Sequence, residues 1–157
     1  MPDTNALGER GEAIFFVMAT KFHGEKPLFH PASLGAKWPV ADYAVELVDS
    51  PGKFFLVQVK ATRAVVSASG RIRVSASEDH VRLLLAAPVP AFIAAVDEPN
   101  ERVFIVRPKK AQRLQSVGTS FLLNDPAVRV KLRDEVASFW NAVSPIMAQY
   151  QSAFLDK

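Results

Sequence analysis

Apolar and polar residues alternate along Phe54 to Thr62, FFLVQVKAT, with the period of an extended strand. Phe55, Val57 and Val59 share one face. Phe54 and Leu56 open the other, which ends in the amide of Gln58, the ammonium of Lys60 and the hydroxyl of Thr62. Upstream, Tyr43 to Val48 is a second β-rich run with Asp42 at its entrance. Asp49, Ser50, Pro51 and Gly52 between the runs are turn-forming residues, which predicts an antiparallel hairpin. In such a hairpin the head of the first strand lies beside the tail of the second, so Asp42 neighbours Gln58 and Lys60. By residue type alone, the same set also reads as a turn aspartate beside two solvent-facing strand residues, since lysine is common edge decoration.

Before the hairpin, the spacing of Ala13, Ile14, Phe16, Val17 and Met18 predicts a helix over residues 6–22, capped by Asn5 or Thr4 and ended by Gly24. Gly8 and Gly11 weaken its first turns. Glu12 falls at the rim of the apolar stripe, and Glu9 outside it. Residues 26–40 hold Pro27, Pro31 and Pro39 together with Phe29, His30 and Trp38. They read as an irregular connection that packs down towards a site, with room for one short strand at 27–30.

After the hairpin, Arg71 to Val74 reads as a third strand. Ser77 caps a helix over 78–87 that turns Val81, Leu84 and Leu85 inward, and Pro88 and Pro90 stop it. Ala91 to Val96 is continuously apolar, as in a strand covered on both faces, and Arg102 to Val106 follows a turn. Residues 109–122 form a short helix or a loop. From Pro126 onward, Val128, Leu132, Val136, Phe139, Trp140 and Val143 recur at helical spacing. At Pro145 this helix kinks, or a second one starts at Ser144 and carries Ile146, Met147, Tyr150 and Phe154. The stripe covers the sheet or meets a second copy; a sheet of this size needs helices over its faces, which favours the former.

Composition narrows the function classes. The 157 residues, 49% of them hydrophobic, suit a single domain over 1–157. No apolar run reaches the ~20 residues that span a bilayer, and the acidic start does not resemble a secretory signal. Absence of cysteine excludes disulfides and thiolate metal sites and fits the cytoplasm. Three histidines argue against structural zinc. Ser67, Ser69, Ser75 and Ser77 have no histidine–acid pair to activate them. The net charge of +3 gathers in three groups: Lys60, Arg63, Arg71 and Arg73; Arg107, Lys109, Lys110 and Arg113; and Arg129, Lys131 and Arg133. Each suits phosphate contacts or a solvated surface.

Gly11-Glu12 on the first helix, Asp42 at the head of the hairpin, and Gln58-Val59-Lys60 at its tail give the chain its resemblance to the PD-(D/E)XK phosphodiesterase superfamily. That superfamily includes restriction-type endonucleases and junction resolvases. Within it, the chain is most similar to a bacterial family of uncharacterised domains. Pro88-Val89-Pro90 before the 91–97 strand supports the likeness, which spans about residues 7–107. The resemblance implies an α/β, restriction-endonuclease-like αβββαβ core with a mixed central sheet flanked by helices, followed by a C-terminal helical segment over 126–155.

It also implies a Mg²⁺-dependent nuclease, with Mn²⁺ as a possible substitute. Asp42 and the Val59 carbonyl would be ligands, and Gln58 would take the place often held by a glutamate. Lys60 would orient or help deprotonate the attacking water, and Glu12 would hold a water or a ligand position from the helix. The implied partner is nucleic acid, DNA before RNA, touched by Arg63, Arg71 and Arg73. A homodimer or a larger bacterial defence or DNA-processing complex is the implied assembly, with no membrane. The competing expectations are a binding module of the same fold without cleavage, and a subunit that docks another protein through its C-terminal segment.

Overall fold

The computed structural model describes residues 3–156. Helix α1 spans Thr4–Ala19. Its cap is Asp3, one residue before the expected pair, and the Asp3 carboxylate accepts the N–H groups of Asn5 and Ala6 at 2.9 and 3.2 Å. Thr20 closes the helix ahead of the expected end, its hydroxyl donating to the Phe16 carbonyl at 2.7 Å. Gly24, at φ 75°, serves the following turn instead.

In chain order there follow β1 (Phe22–His23), β2 (Lys26–Pro27), β3 (Phe29–Ser33), β4 (Tyr43–Leu47), β5 (Phe54–Thr62), β6 (Arg71–Ile72) and α2 (Glu78–Leu85). The chain continues through β7 (Ala91–Asp97), β8 (Arg102–Val106), β9 (Val117–Gly118) and α3 (Pro126–Met147).

Five strands make the central sheet, in the order β3-β4-β5-β7-β8. The β3/β4, β4/β5 and β7/β8 pairs are antiparallel, whereas β5 and β7 run parallel. The sheet is therefore mixed, and α2 lies on the crossover between its parallel pair. The expected hairpin is present, with Tyr43 opposite Val57 and Glu46 opposite Phe54. Every residue of β7 is buried, as its unbroken apolar run predicts.

Two expectations about strands need correction. Arg71–Val74 contributes no strand to the central sheet: only Arg71 and Ile72 are extended, and they pair with β9 in a separate two-stranded ribbon. Both sides of β5 are already taken, by β4 and β7. The third antiparallel strand comes instead from the proline-rich connection. In β3, Phe29 and Pro31 turn inward and His30 outward. Pro31 is tolerated because β3 is an edge, where a missing N–H costs no internal ladder bond.

The sheet is covered on both faces. Val57, Phe92, Ala94 and Ile105 meet Phe15 of α1 and Leu132 and Val136 of α3 in the main core. Leu56, Ala91 and Ile93, on the other face, pack beneath Val81 and Leu84 of α2. Nearby, Ile72, Val74, Phe104 and Val117 close the ribbon over the sheet.

The inward side of α1 is Gly11, Ile14, Phe15, Met18 and Ala19, leaving Phe16 and Val17 exposed, so the helix is rotated from the expected stripe. Helix α3 runs unbroken past Pro145, with no second helix starting at Ser144. Among the described residues, no helix is long and apolar enough to cross a membrane.

Candidate functional site

The site forms where β4 stops and β5 continues. With Tyr43 opposite Val57, a regular ladder would next pair Ala41 with Val59. Asp42 interrupts it. Its N–H still donates to the Val57 carbonyl at 2.9 Å, and its own carbonyl accepts the Leu34 N–H at 2.9 Å. Its backbone is thus tied to the chain on either side. The Asp42 carboxylate then takes the place of the missing strand, with Oδ2 accepting the Val59 N–H at 2.7 Å. In a ladder the N–H and carbonyl of one residue face the same neighbour. The Val59 carbonyl therefore faces the gap beyond β4, on the side where the Asp42 carboxylate sits.

Gln58 lies between these groups in sequence and is 8% exposed. Its side-chain amide makes no hydrogen bond to protein among the described residues. Its amide atoms are not fully enclosed, so water or a further partner can reach them. A carboxylate, an amide oxygen and a peptide carbonyl are the hard oxygen donors that Mg²⁺ or Mn²⁺ takes. The donor set fits such a cation.

Glu12 reaches the same end of β5 from α1. Gly11 makes that approach possible: a Cβ at this position would stand 2.5 Å from the Cβ of Ala61. The bare backbone lets α1 lie directly on β5, which sets the next residue, Glu12, half-buried at the rim. Tyr43 helps fix the helix there, its ring 5.3 Å from that of Phe15 and its hydroxyl 3.4 Å from the Glu12 carbonyl. Burial, then the charge of Asp42, then that of Glu9, raise the Glu12 pKa above the ordinary carboxylate value. Burial and the same two acids, Glu12 before Asp42, raise that of the Tyr43 phenol. Glu12 thus lies within the field of Asp42, which adds to the larger effect of burial.

Lys60 belongs to the α2 side of β5. It opens into a groove of about 610 Å³ with Ser75, Ser77, Glu78, His80 and Arg113. The capping serine of α2, whose hydroxyl accepts the His80 N–H at 3.2 Å, forms part of this wall. Asp42 bonds within the sheet plane, Glu12 comes from the α1 side, and Lys60 faces α2. The site straddles the sheet at its open notch.

The three arginines expected to touch nucleic acid separate. Arg63 is ion-paired to Glu98 at 3.2 Å. Arg71 stands by β9, its Nε donating to the Ser116 hydroxyl at 2.8 Å and its Nη2 to the Ser116 carbonyl at 2.9 Å. Arg73 is exposed. Arg113 enters the Lys60 groove from a loop forty residues or so downstream of β6 in the chain, and sequence reading grouped it elsewhere. Only the bridge between Ala76 and Leu114 brings it there, and no local pattern announces such a bridge.

Among the described residues, no three histidine, cysteine, aspartate or glutamate side chains converge. The carboxylates of Asp42 and Glu12 stand at the notch with the Val59 carbonyl, while Gln58, by its parity with Leu56 and Lys60, belongs to the α2 side of β5. No family model matches the chain, and no curated protein is similar enough to count as a relative.

Proposed function

We propose that this protein is a Mg²⁺-dependent phosphodiesterase that hydrolyses nucleic acid, DNA foremost, on a restriction-endonuclease-like αβββαβ core. The observation that carries the reading is the Asp42 carboxylate lodged against the Val59 N–H at the open notch beside β5. The order α1, β3-β4-β5, α2, β7 supports the fold assignment. Asp42, Glu12, Gln58 and the Val59 carbonyl would hold the cation. When bound, it would polarise a phosphoryl oxygen and make an attacking water more acidic.

The protein's own groups supply the rest. Asp42 is fixed by three hydrogen bonds, so its free oxygen needs little reorganisation. Glu12, with its raised pKa, is suited to holding a water by hydrogen bond at the rim. Lys60 brings positive charge to offset what develops on the phosphate, and Arg113 in the same groove extends that field. A cysteine-free chain of this kind suits the reducing cytoplasm.

Incubation with Mg²⁺ or Mn²⁺ and linear, nicked, branched and single-stranded substrates tests the reading. Lys60→Ala is expected to lower cleavage by about a hundredfold or more while its circular dichroism spectrum stays the same. Equal activity in the mutant removes the assignment.

A second reading, a module of this fold that binds nucleic acid without cutting it, is favoured by the placement of Lys60 on the face opposite Glu12. It predicts binding to the same substrates with no metal-dependent product.

A further inference from the structure

A second cavity lies away from the notch. It lies outside β8, on the α3 side of the sheet, under the 107–121 segment, and holds about 720 Å³. Two strand spacings, roughly 10 Å, separate β8 from β5. Its floor is buried and apolar, formed by Phe92, Ile105, Val117 and Leu132, each 6% exposed or less. Phe121 stands in its wall with 43% of its surface free. A cavity of this size with an apolar floor and a few polar groups is the usual form of a small-molecule site.

Its rim is basic. Arg71, Arg107, Lys109, Lys110 and Lys131 line it, against one acid, Glu135. Arg10, Arg63, Arg82, Arg102 and Arg133 are each ion-paired elsewhere on the molecule. None of the five rim cations is, among the described residues. Two of them are nevertheless held in place. The Arg71 guanidinium is pinned through Nε and Nη2 to Ser116, and the Nη1 of Arg107 donates to the Ala91 carbonyl at 2.9 Å. The Lys131 ammonium sits over the face of Phe121, 4.8 Å from the ring centre. The cavity thus offers a greasy slot, an exposed ring at its edge, and an excess of positive charge, five cations against one acid.

We propose that this cavity binds a nucleoside monophosphate, its base in the apolar slot against Phe121 and its phosphate among the rim cations. A simple inorganic anion would use only the rim, and an uncharged ring only the slot. A flat ring with a phosphate attached satisfies both. The nucleotide is a free metabolite or the phosphorylated 5′ end of a strand, since both present the same group. The site is separate from the notch and does not depend on the hydrolytic reading.

Calorimetric titration of the full chain without metal tests it, using AMP, UMP, adenosine, inorganic phosphate and a 5′-phosphorylated tetranucleotide. AMP or UMP is expected to bind about tenfold or more tighter than adenosine or phosphate alone. The tetranucleotide binding tighter than the mononucleotide identifies a strand end as the source, and the reverse a free nucleotide. Lys109→Ala/Lys110→Ala alters only exposed side chains and is expected to weaken binding about tenfold, with Lys131→Gln acting in the same direction. Lys60→Ala, outside the cavity, is expected to leave the affinity for AMP and UMP unchanged. No heat with either mononucleotide at millimolar concentration overturns the proposal, as does binding that ignores the rim substitutions. Either result leaves metal-dependent cleavage at the notch untouched.

Discussion

A methyl group at Gly11 would meet the Cβ of Ala61 at 2.5 Å, well inside contact distance, and both atoms are carried on rigid elements. Gly11→Ala is therefore expected to push α1 off β5 and cost about 1–3 kcal/mol, measured by urea denaturation. Ala61→Gly in the same chain should recover part of that loss, because it removes the other half of the clash. The next residue gives a pH signature. Glu12 has a raised pKa in the folded chain, so its protonated form is the one that favours folding. That contribution is present below the ordinary carboxylate range and is lost as pH rises through the raised folded value. At neutral pH the ionised carboxylate opposes folding. Glu12→Gln is expected to raise the urea midpoint at about pH 7 and to change it little at about pH 3.5. A midpoint difference that does not vary with pH would show that neither burial nor the charge of Asp42 acts on Glu12. Sequence reading found Glu12 at the rim of its helix and Gly11 beside it in the resemblance, but gave Gly11 no packing role beyond a loss of helix propensity. The tight helix–strand contact that explains Gly11 lies fifty residues away in the chain, at Ala61.

Elements whose signals are local were legible. The alternation in β5, the turn residues before it, the Ser77 cap and the apolar run of β7 each declare themselves within about ten residues. The choice between β3 and Arg71–Val74 as the third antiparallel strand was not, because it depends on which edge of the sheet is free. The same holds at the site. The expected hairpin placed Asp42 beside Gln58 and Lys60, but the bond from the Val59 N–H to the Asp42 carboxylate required knowing where the ladder ends. Basic residues misled where their partners are remote. Arg129, read as part of a surface cluster, is 3% exposed, and its Nη1 donates to the carbonyls of Leu123 and Asn124 at 2.7 and 2.9 Å. Burial lowers its pKa, with Asp125 opposing. This guanidinium fastens the first turn of α3 to the preceding loop. Arg129→Met would leave both carbonyls without that donor in a buried setting. Its expected cost is about 2–4 kcal/mol in chemical denaturation, with Arg129→Lys intermediate.

Across the whole molecule, α3 divides into a docked part and a free one. Leu132 and Val136 are buried, and Trp140 closes the docked part. The Trp140 Nε1 donates to the Phe54 carbonyl at 2.8 Å, its ring lies 5.4 Å from that of Phe54, and Lys53 bonds Asn141 beside it. The chain continues past this anchor, yet Ile146 in the last turn of α3, and Tyr150 and Phe154 beyond the helix, are 68%, 72% and 95% exposed. The apolar periodicity runs through both parts, so sequence alone had no means of marking where contact ends. Apolar side chains that remain in water contribute nothing to folding through burial. Removing residues 148–157 is thus expected to change the urea midpoint by less than about 0.5 kcal/mol in free energy, whereas Trp140→Ala should cost about 2 kcal/mol or more. Measuring both at several protein concentrations adds the decisive contrast. If a second copy covers the free end, the full chain gains stability with concentration and the shortened chain does not. A concentration-independent midpoint in both leaves the sheet and the first turns of α3 as the source of the fold's stability.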